Sequence, residues 1–189
     1  YHCSTMPMSM HIANGMFGAI IIDPPDLAPV DEEFVLVQSE SYLGPQGGTA
    51  NAAAIASGDH DLVSFNGYPM QYDHHPLQVT AGDRVRIWVL AAGPNVGTSF
   101  HVVGGQFDTV YREGSYDLLP GAGGAQSLGL LPAQGGFVEL KLADIEKPFG
   151  RRSAAILPGQ RRATSRRTMP GAAYEDVIAG GSLPAHVRA

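Results

Sequence analysis

Residues 77–90 read LQVTAGDRVRIWVL. A short apolar run, Leu77–Thr80, meets the turn residues Ala81-Gly82-Asp83 and then a longer run from Arg84 to Leu90. In the longer run Val85, Ile87 and Val89 alternate with Arg84, Arg86 and Trp88. A strand's period of two puts the three aliphatic side chains on one face and the two guanidinium groups and the indole on the other. The stretch therefore predicts strand, turn, strand.

Working outward, Leu62–Gly67 predicts a strand ending in an Asn-Gly turn, and Glu33–Glu40 a strand before it. Ser99–Val103, Asp108–Arg112 and Gly136–Leu142 continue the series. Residues 44–61 are rich in Gly, Ala and Asn and read as a loop with one helical turn around Asn51–Ala56. Gly18–Asp23 carries three consecutive isoleucines and predicts a buried strand closed by Pro24-Pro25, with a linker over 24–32. Short strands at this spacing, with 24 Gly and 14 Pro in 189 residues, point to an antiparallel sandwich or barrel over 33–142. Segment 1–23 holds two predicted strands, too few to bury a core alone, so either it pairs with another sheet or most of its domain is absent from this chain.

The single cysteine excludes an internal disulfide, and no apolar run reaches the ~20 residues of a membrane span. Through Glu146 there are 4 Lys/Arg against 16 Asp/Glu, a net of −12; from Lys147 there are 8 against 2, a net of +6. No aromatic residue interleaves with the arginine pairs, so residues 143–189 read as a solvated, disordered tail rather than a nucleic-acid contact.

The chemistry gathers in YHCSTMPMSMHIANGMFG, residues 1–18. Cys3, His11 and Met16 follow the spacing C-x7-H-x4-M. A thiolate, an imidazole and a thioether are the donor types of a blue-copper electron-transfer site, with a second imidazole still required. His2 directly precedes Cys3, and in an extended strand it points to the opposite face. Met6, Met8 and Met10 exceed what such a site needs and read as packing, with some tolerance of soft metals. His60, His74 and His75 read as loop residues, and Asp108 and Glu113 as solvated or turn residues.

Tyr1-His2-Cys3, His11 and Met16-Phe17-Gly18-Ala19-Ile20 resemble the first cupredoxin domain of copper-containing nitrite reductases and related two-domain multicopper oxidases. Phe65-Asn66-Gly67, Gly82–Ile87, Gly93-Pro94-Asn95 and Ser99–Gly104 are similar to their second domain. The resemblance covers residues 1–142. It implies an all-β, cupredoxin-like Greek-key sandwich, with 1–23 the closing hairpin of one domain and 33–142 the next. It implies type 1 copper on Cys3, His11 and Met16, and type 2 copper on His2. His101 would lie in the substrate pocket as a proton donor to nitrite, at the type 2 copper of a neighbouring subunit in a homotrimer. It further implies a small redox protein as electron donor, no nucleic-acid partner, and a periplasmic or extracellular location. Laccase-like relatives reduce O2 at a site in which His flanks the Cys on both sides; here Ser4 follows Cys3, which favours nitrite. A non-enzymatic cupredoxin electron carrier would need neither His2 nor His101. The resemblance also implies a further type 1 His, further type 2 His residues and a relay Asp that are not matched here. The chain is thus expected to begin inside a domain, to diverge after Leu142 (His186 fits no motif) by truncation or a shifted frame, and to be inactive or weakly copper-binding alone.

Overall fold

The computed structural model describes residues 1–142 and 153–156. Strand β1 (Glu32–Ser41) leads through helix α2 (Ala52–Ser57) to β2 (Leu62–Phe65), helix α3 (Gln71–His74) and β3 (Leu77–Thr80). Then follow β4 (Arg84–Gly93), β5 (Thr98–Phe100), β6 (Thr109–Arg112), β7 (Ser115–Leu118), β8 (Leu128–Leu130), β9 (Gly135–Lys141) and β10 (Ser153–Ile156). Six strands form one sheet in the order β2-β1-β4-β9-β6-β7. The pairs β5-β8 and β3-β10 are separate from it. Phe100, Leu128 and Leu130 from β5-β8, and Val79 from β3, pack with Val85, Ile87, Val89, Val138 and Leu140 of the large sheet into one core. Two layers of strands closed over one apolar core make the expected all-β sandwich.

The Asn66-Gly67 turn forms as expected, with both residues at positive φ (54° and 79°). Asn66 also uses its side chain: its Oδ1 accepts from the Val37 amide (2.8 Å) and its Nδ2 donates to the Val35 carbonyl (3.0 Å). The helical turn is capped by Asn51, whose Oδ1 accepts from Ala53 and Ala54.

Four expectations need correction. The large sheet is not wholly antiparallel, because β1 and β4 pair in parallel; the long connection through β2 and β3 makes that crossover possible. Residues 18–23 are extended but join no described sheet, and Ile20 and Ile22 are 73% and 80% exposed. They cross the outer face of the sheet, leaving a groove of about 510 Å³ between Ile20, Ile22, Trp88 and Tyr111. Strands β7 and β8 were not foreseen; Glu113, at φ 61°, makes the β6-β7 turn with Gly114 in place of the usual Asn-Gly. Within the expected disordered tail, Ser153–Ile156 form a strand on β3; the rest of 143–189 lies outside the described residues.

The polar face of β4 is also buried. Arg86, 4% exposed, donates from Nε to Glu139 (2.8 Å) and from Nη2 to the Ala28 carbonyl, and its guanidinium carbon lies 5.4 Å from the Phe137 ring centre. Trp88 Nε1 donates to Glu33 (2.6 Å). Arg84 makes a two-pronged pair with Asp108 (2.9 and 2.8 Å) and also reaches Glu139. Asp108 is therefore an ion-pair partner, not a free solvated carboxylate. Partial burial pushes its carboxyl upward, but the Arg84 guanidinium and the Thr109 hydroxyl outweigh this and hold it below the ordinary range.

Arg86→Ala is expected to cost about 3 kcal/mol in urea unfolding, because it strips a cation from the buried Glu139. The depressed Asp108 pKa gives stability that is present above its unfolded value near ~4 and lost as pH falls through the lower folded value. Thermal unfolding across that acid range should show a weaker pH dependence in Asp108→Asn.

Candidate metal centre

The N-terminal segment folds around a short helix, α1 (Met8–Ala13). Pro7 sits at its start, where a missing N–H costs nothing, and its carbonyl accepts from Met10 (3.1 Å) and His11 (3.3 Å). The helix ends at Asn14, and Gly15 follows at φ 90°. The Gly15 amide returns to the Ile12 carbonyl (2.9 Å) and the Met16 amide to the His11 carbonyl (3.0 Å). This pair of bonds is a Schellman motif, in which the residue five places after the accepting carbonyl closes the turn. The interval between His11 and Met16 is therefore that of a helix stop.

Met16 is tied on its other side to Cys3. The Cys3 amide donates to the Met16 carbonyl (2.9 Å), His2 pairs with Phe17, and Tyr1 and Gly18 exchange backbone hydrogen bonds (2.9 Å each). In this short antiparallel ladder Cys3 and Met16 face one side and His2 and Phe17 the other. Cys3 Sγ lies 3.2 Å from His11 Nδ1. An ion bonded to sulfur at ~2.3 Å and to imidazole nitrogen at ~2.0 Å can bridge that separation, and Met16 brings a thioether to the same face. The donor set fits copper. Asn14 anchors the loop: its side chain donates to the Met10 carbonyl (2.7 Å) and accepts from the Ala50 amide (3.1 Å) ahead of α2.

The other expected site residues are not gathered here. His2 is exposed, and its Nδ1 is 2.9 Å from the Cys3 carbonyl; since a carbonyl only accepts, Nδ1 carries a proton and Nε2 is left to solvent. His101 follows β5 between the buried Phe100 and Val102, so its ring faces away from the core. Its Nδ1 donates to the Gln126 carbonyl, again leaving Nε2 open. Among the described residues no group of three or more His, Cys, Asp or Glu assembles. The loop into β5 is held by the buried Glu40, which accepts from the amides of Asn95 and Val96 and from the Tyr42 hydroxyl. Burial and the Glu40 contact both push the Tyr42 phenol far up, so it stays protonated as a donor. Nothing in the residue types of Glu40, Tyr42 and Asn95 flagged that network. His60 lies beyond α2 with its ring edge-on to Tyr42, and Met6 and Met8 are exposed rather than packed.

No family model matches the chain. A copper-containing nitrite reductase of Neisseria meningitidis is 41% identical over 122 residues, which is 60% of this chain and 31% of that protein. Over that stretch the chain is similar to copper-containing nitrite reductases. Among solved structures, a copper nitrite reductase from Nitrosomonas europaea superposes with a TM-score of 0.62 at 35% identity, covering 75% of this chain and 51% of that one. A multicopper oxidase superposes with a TM-score of 0.60 at 27% identity, covering 75% and 46%. The chain spans about a third of the length of the curated relative it matches.

Gly15→Ala forces a side chain into the left-handed region at a cost of about 1–2 kcal/mol. It should loosen the Met16 tie and weaken copper retention against a chelator, while the far-ultraviolet β-sheet spectrum stays unchanged.

Proposed function

We propose that this chain carries the electron-transfer centre, and part of the substrate centre, of a copper-dependent oxidoreductase that reduces nitrite to nitric oxide. The observation that carries the proposal is the Cys3 Sγ–His11 Nδ1 approach, with both residues tied by backbone hydrogen bonds to Met16. Cys3, His11 and Met16 would hold one copper and His2 would contribute to a second, and bound copper supplies one-electron transfer at the first site and Lewis acidity at the second.

The chain's own residues account for the rest. Reduction of nitrite consumes one electron and two protons and releases water with nitric oxide. His2 and Cys3 are joined by one peptide unit, with Cα atoms about 3.8 Å apart, a short covalent path between the two faces of the ladder. The Schellman turn and Asn14 preorganise the first set of donors, so little rearrangement accompanies binding. His101 is fixed by the Gln126 carbonyl in the tautomer that keeps Nε2 free to accept and return a proton. His101 and His2 join no described cluster, which is compatible with a substrate site completed between subunits of a homotrimer. A small redox protein would deliver the electron. We place the parent protein in the periplasm or outside the cell; no described helix is long and apolar enough to cross a membrane.

A second reading, an O2-reducing multicopper oxidase, is favoured by the likeness to such an oxidase. Ser4 weighs against it, because a hydroxyl at that position does not replace an imidazole.

The full chain titrated with Cu(II) should develop an intense visible thiolate-to-copper band that Cys3→Ser abolishes and His2→Ala retains. Nitrite turnover by the chain alone should be negligible, because its described residues give the second centre one donor. Copper binding with no thiolate band would remove the proposal.

A further inference from the structure

The carbonyl that holds His101 belongs to a segment with little stiffness of its own. His101 Nδ1 donates to Gln126, which ends the run Pro120-Gly121-Ala122-Gly123-Gly124-Ala125-Gln126. Gly121 and Gly123 lie at φ 81° and 141°. Glycine gives up more backbone freedom on ordering than any other residue, so such a run does not by itself keep a carbonyl in one place. Two backbone attachments do. Just before Gln126, Ala125 pairs with Phe107: the Phe107 amide donates to the Ala125 carbonyl (2.7 Å) and the Ala125 amide to the Phe107 carbonyl (2.9 Å). Just after it, Leu128 pairs with Phe100 in the β5-β8 ladder.

Both attachments end on one pair of rings. Phe100 and Phe107 are fully buried and stack with centres 6.3 Å apart and planes 6° from parallel. A turn after β5, closed by the Gly105 amide on the Val102 carbonyl (2.9 Å), brings Phe107 back beside Phe100. Phe100 is also the residue directly before His101. The stack thus fixes the two ends of the His101–Gln126 hydrogen bond together: His101 through its neighbour Phe100, and Gln126 through Ala125 and Leu128.

We infer that Phe107 is a positioning residue for His101, acting through the Gln126 carbonyl to select the imidazole tautomer. A carbonyl only accepts, so wherever it is held against Nδ1 that nitrogen carries the proton and Nε2 is left as the acceptor. A histidine that passes protons to a substrate depends on having the right nitrogen free. This role deepens the reading of His101 as a proton carrier and rests on it, but it falls to a residue buried in the core. Packing alone would make Phe107 matter for stability and leave the tautomer untouched.

The tautomer can be read without metal or nitrite, from the imidazole 15N shifts of His101 in the 15N-histidine-labelled full chain. The signals are assigned by their loss in His101→Gln and recorded above the imidazole titration, at a temperature where each variant is folded. Phe107→Leu keeps apolar bulk but removes the flat stack, and its ratio of Nδ1–H to Nε2–H should fall about fivefold, the scale of one net hydrogen bond. Gln126→Ala keeps the main-chain carbonyl and should leave the ratio unchanged. In the native chain the Ala125 amide should exchange slowly and those of Gly123 and Gly124 fast, a measurement that needs no variant to fold. An unchanged ratio in folded Phe107→Leu, a ratio lost in Gln126→Ala, or an Ala125 amide as fast as the glycines before it would overturn the inference. A ratio that moves as expected in a chain that develops no thiolate-to-copper band would instead count against the copper reading alone.

Discussion

Strand β4 is buried on both faces, and that constraint organises the molecule. On its inner face Val85, Ile87 and Val89 build the core; on its outer face Arg86 and Trp88 are nearly as inaccessible. A guanidinium withdrawn from water must be neutralised and its donors occupied. Glu139 on β9 meets Arg86, Glu33 on β1 meets both Arg86 and Trp88, and the Ala28 carbonyl accepts from Arg86 as well. One buried cation thus specifies which strands flank β4, and it also draws the chain before β1 across the outer face. A slip of one residue would exchange the aliphatic and charged faces, so register is tightly held.

The metal-centre loop depends on a constraint of a different kind. Cys3, His11 and Met16 are close in sequence, and the first two are hydrogen-bonded to the backbone of the third. The Schellman turn determines where Met16 lies relative to His11, and the two-strand ladder determines where it lies relative to Cys3. Both arise from local geometry: a glycine at positive φ and a β-pair closed by residues 1–3 and 16–18. A hydrogen bond from the Ala50 amide to the Asn14 side chain then ties the loop to the segment ahead of α2. Main-chain hydrogen bonds alone thus set where Cys3, His11 and Met16 lie relative to one another.

Much of this was legible in the residues. Alternation in Arg84–Leu90, the Asn66-Gly67 turn and the Asn51 cap each carry a local physical signal, and each formed as expected. The strands missed lacked such a signal: β8 is Leu-Gly-Leu, and the β6-β7 turn uses Glu where Asn is usual. The isoleucines at 20–22 misled for the opposite reason. Their β-branched run reads as a buried strand, but burial requires a partner sheet, and a local pattern does not reveal whether one is alongside.

By itself the sequence determined the Asn-Gly turn, the Asn51 cap and the two-faced pattern of β4, because these follow from side-chain identity and from dihedral preferences within a few residues. Only the tertiary structure decided that β1 runs parallel to β4, that Asp108 and Glu139 are the counter-ions of Arg84 and Arg86, and that Met6 and Met8 stay in water. Each of these joins positions dozens of residues apart or depends on what the rest of the chain leaves uncovered, and no short stretch encodes which distant surface will arrive.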